Sequence, residues 1–268
     1  MTLIRLNQTI TKCRKCPRLA KYIQEVASKK VRRFQHCNYW GKPVPGFGDP
    51  DASLLIIGLA AAAHGANRTG RMFTGDDVGR NVERKRNPDS IGSIPTCLPM
   101  RGLIPGRQAN KNWLYRALYE TGFANKPESI SADDGLILKG AYITAIARCA
   151  PPQNKPTLKE IDNCAAYLLE ELKILKNVNT ILCLGQLAFR QYCKLQNVVG
   201  LKFFHGAKYE VQSVPGTWDR GVEIKKTLIV SYHPSRQNTN TGRLTWEMWI
   251  KIFMDIKKTL SLQDQEKK

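Results

Sequence analysis

SLLIIGL, residues Ser53–Leu59, runs without a break into AAAAHGANRTGRMFTGD, residues 60–76. The first part is a short apolar run with no polar alternation, as a strand buried on both faces requires. The second is dense in Gly, Asn, Arg and Thr and cannot continue that strand. Three more apolar runs, Tyr142–Ala147, Thr180–Leu184 and Thr227–Tyr232, read the same way. Helical spacing covers Trp113–Thr121, Leu158–Leu175 (with Thr157 and Glu160 placed as a capping box), Gly185–Leu195 and Thr245–Leu260. Strands alternating with helices predict one α/β domain whose mostly parallel sheet is covered on both faces. It spans residues 1–262, with 77–111 as a long surface loop and 263–268 as a frayed tail.

Unusual sequence follows directly after three of the four strands. The stretches are GLAAAAHGANRTGRMFTGD from Gly58, RCAPPQNKP from Arg148 and HPSRQNTNTGRLT from His233. Open parallel sheets bind ligands in the crevice beyond the carboxyl ends of their strands, so the three loops are expected to converge on one site.

The partner of that site is indicated by charge. Forty-two Lys and Arg against 22 Asp and Glu give a net charge of +20, and 11 basic against 2 acidic residues lie within positions 1–50. Neutralising phosphates releases counterions, so a polyanion is the natural ligand. A merely Lys-rich surface is the plainer explanation, but the crowding toward one end favours nucleic acid. No stretch is apolar enough to span a membrane and no export signal follows Met1, which places the chain in the cytoplasm.

Eight cysteines without an export signal point to metal ligation or burial and away from a disulfide framework. Cys13 and Cys16 form a C-x2-C before Pro17, and Cys149 and Cys164 form a second pair. Four thiolates suit zinc or an iron–sulfur cluster equally well by spacing. Cys183 and Cys193 sit in apolar patterns and read as buried thiols, while Cys37 and Cys97 fit either role. His233 opens a His-Pro-Ser loop at a strand end, a position that favours function over packing. Asp76 closes a Gly-rich polar loop, where it either activates water or forms a turn. Phe73, flanked by polar residues, either stacks on a base or anchors the loop.

These strings resemble the signatures of the family 5 uracil-DNA glycosylases (the UDGb branch). GLAAAAHGANRTGRMFTGD is similar to the family's first signature, HPSRQNTNTGRLT to its third, and RCAPPQNKPT to the segment between. The likeness runs from Cys13 to about Thr245. It implies a three-layer α/β/α sandwich with a four-stranded, mostly parallel sheet, acting as a monomer on damaged DNA. The implied reaction is hydrolysis of the N-glycosidic bond of uracil, and of other deaminated or damaged bases such as hypoxanthine. No lysine looks set for a Schiff base, so a monofunctional enzyme that leaves an abasic site is expected. By the same resemblance Cys13, Cys16, Cys149 and Cys164 hold a mainly structural 4Fe–4S cluster, and Asp76 polarises the attacking water. Asn154 and His233 complete the catalytic set. Gly58, Leu59, Ala60, His64 and Phe73 join those two around the base. Arg68, Arg71, Ser235, Arg236, Gln237 and Arg243 are expected at the DNA, with Arg236 and Gln237 entering the gap left by the flipped nucleotide.

One departure stands out. Ala61 replaces the first signature's usual Pro, which frees a backbone dihedral at the entrance to the site. Three rivals remain: a non-catalytic nucleic-acid-binding module with a four-cysteine zinc site, a diverged glycosylase that binds damage without excising it, and a nucleotide-binding transferase. The last needs a phosphate-cradling Gly loop after the first strand, and none is present.

Overall fold

A computed structural model describes residues 1–75, 112–212 and 225–265. Six strands form one sheet: β1 (Phe47–Gly48), β2 (Leu54–Ala60), β3 (Ala141–Ala147), β4 (Thr180–Leu184), β5 (Lys208–Gln212) and β6 (Lys225–Ser231), in the order β1-β3-β2-β4-β6-β5. The central β3, β2, β4 and β6 are mutually parallel and coincide with the four apolar runs. The expected four strands are therefore the middle of a larger sheet. Antiparallel β1 and β5 close its two edges. Neither edge strand carries an apolar run: β1 has two residues, and only Val211 of β5 is buried. That explains why periodicity passes over them.

Each central strand sends alternate side chains to opposite layers. From β2, Leu54 and Ile56 enter one core, with Trp249 and Phe253 of α8 (Trp246–Gln265) and Leu114 and Leu118 of α4 (Trp113–Glu120). Leu55 and Ile57 enter the other, with Leu168 and Leu172 of α5 (Leu158–Ile174) and Phe189 and Tyr192 of α6 (Gln186–Leu195). Helices thus cover both faces, the expected α/β/α layering. The capping box is present: the Glu160 amide donates to Thr157 Oγ1 at 3.2 Å and the Thr157 amide to Glu160 Oε2 at 2.8 Å. The last helix runs on to Gln265, beyond the expected start of fraying.

The basic N-terminal segment contains two helices that its charge obscures: α1 (Leu3–Thr11) and α2 (Pro17–Lys29). Each buries a pair of residues four apart, Leu6 with Ile10 and Leu19 with Ile23, which places both on one helical face. A four-residue helix, α3 (Ala66–Thr69), lies in the loop after β2, and α7 (Arg236–Asn240) in the loop after β6. No described helix is long and apolar enough to cross a membrane. The expected loop 77–111 lies outside the described residues.

Candidate active site

The loops after β2, β3 and β6 leave the same edge of the sheet, because the three strands are parallel and Ala60 pairs beside Ala147 at their carboxyl ends. At this edge the rings of Phe73 and His233 stack, with centroids 5.7 Å apart and planes 25° from parallel. The two residues are 160 positions apart in the chain and arrive from different strands. Behind Phe73 lies Gly58, where a Cβ would sit 2.6 Å from the ring's Cζ. Behind His233 lies Gly185, where a Cβ would approach the histidine's own Cβ at 3.7 Å. Glycine at position 58 is thus what makes room for the aromatic ring.

Phe73 adopts φ +55°, a left-handed conformation costly for a bulky residue. Its neighbours hold it there. Asn112 Nδ2 donates to the Phe73 carbonyl at 2.5 Å, and the Tyr115 hydroxyl donates to the Met72 carbonyl at 2.7 Å. Thr74 shares a 2.5 Å hydrogen bond with Ser129. Strain held in place by several independent contacts is characteristic of residues positioned for a ligand.

Burial pushes the His233 pKa down to about 4, so the imidazole is neutral at physiological pH and keeps one N–H to donate. Asn238 Nδ2 donates to the His233 carbonyl at 2.8 Å and fixes the loop's entry. Ser235 caps α7, its hydroxyl accepting from the Asn238 amide at 3.4 Å. Arg236 and Gln237 follow at the exposed start of that helix. Exposed Arg243 lies with its guanidinium carbon 4.5 Å from the Tyr232 ring centroid.

The middle loop starts from a buried anchor. Arg148, 1% exposed, meets Glu171 at 2.5 Å, and Thr144 donates to the same carboxylate at 2.7 Å. Beyond it Gln153 and Asn154 both take positive φ, at 54° and 57°. Asn154 is exposed, and among the described residues no hydrogen bond joins it to Phe73 or His233. Asp76 lies outside the described residues.

A second constellation sits beside the first. Burial pushes the Cys149 thiol up, and charge on Cys164, Cys13 and Cys16 pushes it further, so all four cysteines are electrostatic neighbours. Arg18 binds Glu160 through two nitrogens, at 2.8 and 2.7 Å, and ties the segment after Cys16 to the helix that carries Cys164. Asn163 Nδ2 lies 3.3 Å from Cys16 Sγ across the same seam. Among the described residues no group of three or more His, Cys, Asp or Glu is drawn tightly enough to hold a single ion. Cys183 is buried in β4 as expected. Cys37 is buried and disulfide-bonded, which a choice between metal and plain burial did not include. Cys97 lies outside the described residues.

A profile of the uracil DNA glycosylase superfamily matches residues 45–257. A type-5 uracil-DNA glycosylase of Thermus thermophilus is 41% identical over 95% of this chain and 97% of its own length. The chain belongs to the type-5 uracil-DNA glycosylase family. Further type-5 relatives, from Pyrobaculum aerophilum and Mycobacterium tuberculosis, are each 38% identical, over 91% and 98% of this chain and 87% and 83% of their own lengths.

Within this type-5 uracil-DNA glycosylase fold several expected roles shift. Arg68 and Arg71 are 6% and 3% exposed, so they do not present charge to DNA. Arg68 donates to the His64 carbonyl at 2.9 Å and the Gly75 carbonyl at 3.4 Å, bracing the loop from within. Arg71 pairs with Asp134 at 2.8 Å and lies over the Phe47 ring at 4.4 Å. Burial would raise the Asp134 pKa, but hydrogen bonds from the Ile130 amide and from Arg71 hold it down to about 2. The Leu59 side chain packs into the α5–α6 layer, away from Phe73, and Gly58 supplies the surface under that ring. His64 turns Nδ1 toward the Tyr39 hydroxyl at 3.0 Å, and burial lowers its pKa. Asn112, Tyr115, Ser129 and Asp134, which hold the Phe73 loop, carry no motif of their own. The polar run Ser129–Gly135 is the nearest thing to a sequence signal for them.

Proposed function

We propose that this chain hydrolyses the N-glycosidic bond of uracil in DNA and leaves an abasic site. The observation that carries the reading is Phe73, held at positive φ over Gly58 and stacked beside a neutral, partly buried His233. The shared name of its relatives, uracil-DNA glycosylase, supports the same substrate. A base must leave the duplex before its glycosidic carbon can be reached. A flipped uracil stacks on Phe73, and the His233 N–H donates to a base oxygen as negative charge grows there. A neutral donor aimed at developing charge lowers the barrier without first transferring a proton. Asp76 orients water toward the sugar carbon, with Asn154 as a second polar contact from the middle loop. Arg236 and Gln237, exposed at the start of α7, fill the space the base vacates, and Ser235 and Arg243 hold the flanking backbone. Deaminated purines such as hypoxanthine belong to the same substrate class.

Cys13, Cys16, Cys149 and Cys164 are the residues that would hold a 4Fe–4S cluster. The fit rests on the donor set: the four thiols lie within electrostatic reach of one another, and four thiolates are the ligands that such a cluster takes. When bound, it supplies a structural tie between the N-terminal helices and α5.

Base release from a duplex carrying one uracil, followed by alkali to cut abasic sites, tests the reading. The wild type gives alkali-dependent cutting, Asp76→Ala much less, and His233→Ala about 100-fold less or lower still. A folded, brown wild type that releases no base would leave a damage-binding protein instead.

A further inference from the structure

Away from the stacked rings, a concavity among the described residues carries recognisable chemistry. An open pocket of about 420 Å³ is lined by Thr11, Lys12, Arg14, Trp40 and Lys42. Three of the five residues are cationic and none is acidic. None of Lys12, Arg14 and Lys42 takes part in a salt bridge among the described residues, and all three are exposed.

Trp40 decides what the pocket takes. One face of its indole lies against Gly70, where a Cβ would sit 3.1 Å from the ring. The Lys42 ammonium lies 5.4 Å from the ring centroid, a cation–π arrangement that steadies it. An indole engaged in this way offers a wall and an anchor for the lysine, not a free platform for a base. The ligand suited to such a site is an anion of phosphate size.

The segment bearing Trp40 and Lys42 is itself fastened to two of the three loops, those after β2 and β3. The Trp40 amide donates to the Arg68 carbonyl at 2.9 Å, and the Gly41 amide to the Asn67 carbonyl at 3.0 Å. The Val44 amide donates to the Arg148 carbonyl at 2.7 Å. Lys12 and Arg14 flank Cys13, so the pocket also abuts the cysteine site. It therefore opens on the flank of the carboxyl edge where the three loops meet. We propose that Lys12, Arg14 and Lys42 form a DNA phosphate-binding subsite that grips the backbone beside the flipped nucleotide. This subsite rests on the reading that DNA is the substrate. It moves phosphate recognition from Arg68 and Arg71, which are buried, to the N-terminal segment.

The test is binding of a duplex bearing one non-hydrolysable 2′-fluorinated deoxyuridine, followed by fluorescence anisotropy between about 50 and 200 mM salt. Each phosphate contact contributes about 0.9 to the slope of log affinity against log salt. The triple variant K12A/R14A/K42A is expected to lose about 2 to 3 from that slope and to bind roughly tenfold or more weakly at low salt. A control triple, K139A/K173A/K176A, removes the same charge from the amino edge of the sheet and should change the slope much less. Visible absorption of the cluster and circular dichroism report whether the variant is folded. Should the triple variant fail to fold, the single Lys42→Glu reversal at an exposed position reads the same slope. Equal slopes for the pocket and control variants, or no DNA binding by the wild type, would overturn the subsite. Uracil release by the wild type from an unfluorinated duplex is scored separately. Its failure counts against the enzyme, while the slope difference counts only for or against the pocket.

Discussion

Phe73 and Gly58 illustrate how much one missing methyl can decide. Because a Cβ at position 58 would come 2.6 Å from the Phe73 ring, Gly58→Ala must push the ring off its stack on His233. The substitution sits inside β2, where alanine suits the backbone, so the fold should survive. Gly58→Ala is expected to lower the uracil excision rate by roughly 10- to 100-fold, similar to Phe73→Ala, which removes base stacking of about 1–3 kcal/mol. Single-turnover kinetics with thermal unfolding alongside would show it, and unchanged kinetics in Gly58→Ala would exclude Phe73 from base contact. His233 makes a second, pH-dependent statement. Its folded pKa of about 4 lies below the ordinary histidine value near 6.5. The unfolded chain therefore takes up the proton first as pH falls. The stability associated with neutral His233 is intact above about pH 6.5 and is lost progressively down to pH 4. His64 and His205, also lowered by burial, add to the same acid-side loss. His233→Gln should flatten part of the decline in unfolding midpoint across that window, and an identical pH profile would show that the imidazole is not desolvated.

At the scale of elements, the long helix α5 was the most legible part of the chain. Thr157 and Glu160 announce its start, and its apolar spacing gives its length. Its N-terminus does two things at once, because Glu160 completes the capping box and also receives Arg18. Thr157→Ala should cost about 1 kcal/mol in urea unfolding with no change in the steepness of the transition. A loss near zero would mean that the Arg18 contact alone fixes this terminus. Elements whose pattern is set by neighbours were not legible. The two-residue β1 exists because β3 is beside it, and exposed β5 because β6 is. Helices α1 and α2 bury so few residues that charge conceals their apolar faces. The site shows the same division. Loops with their own idiosyncratic strings pointed to His233 and Phe73, and the fold brings these two rings together. The buried fates of Arg68 and Arg71 depended on Asp134, Gly75 and Phe47, which only the folded chain brings to them.

Across the whole molecule, charge and topology answer to different demands. Among the described residues most Lys and Arg side chains are exposed, while the sheet is held by apolar layers. The four central runs could be read singly, but their order could not, since periodicity carries no information about which strand lies beside which. That order has a cost in time. The middle strand β2 pairs with β3 on one side and β4 on the other, and the ties that accompany those pairings span 87 residues from Ser53 to Gly140 and 126 from Asp51 to Asn177. Neither neighbour is joined to it by a hairpin, so loop-closure entropy must be met before any sheet bond repays it. During synthesis, Leu54–Ile57 leaves the ribosome with no strand to pair against until β3, about halfway along the chain, has been made. For that interval the future centre of the sheet is an exposed, adhesive apolar segment, and prompt handling of the nascent chain becomes part of what the fold requires.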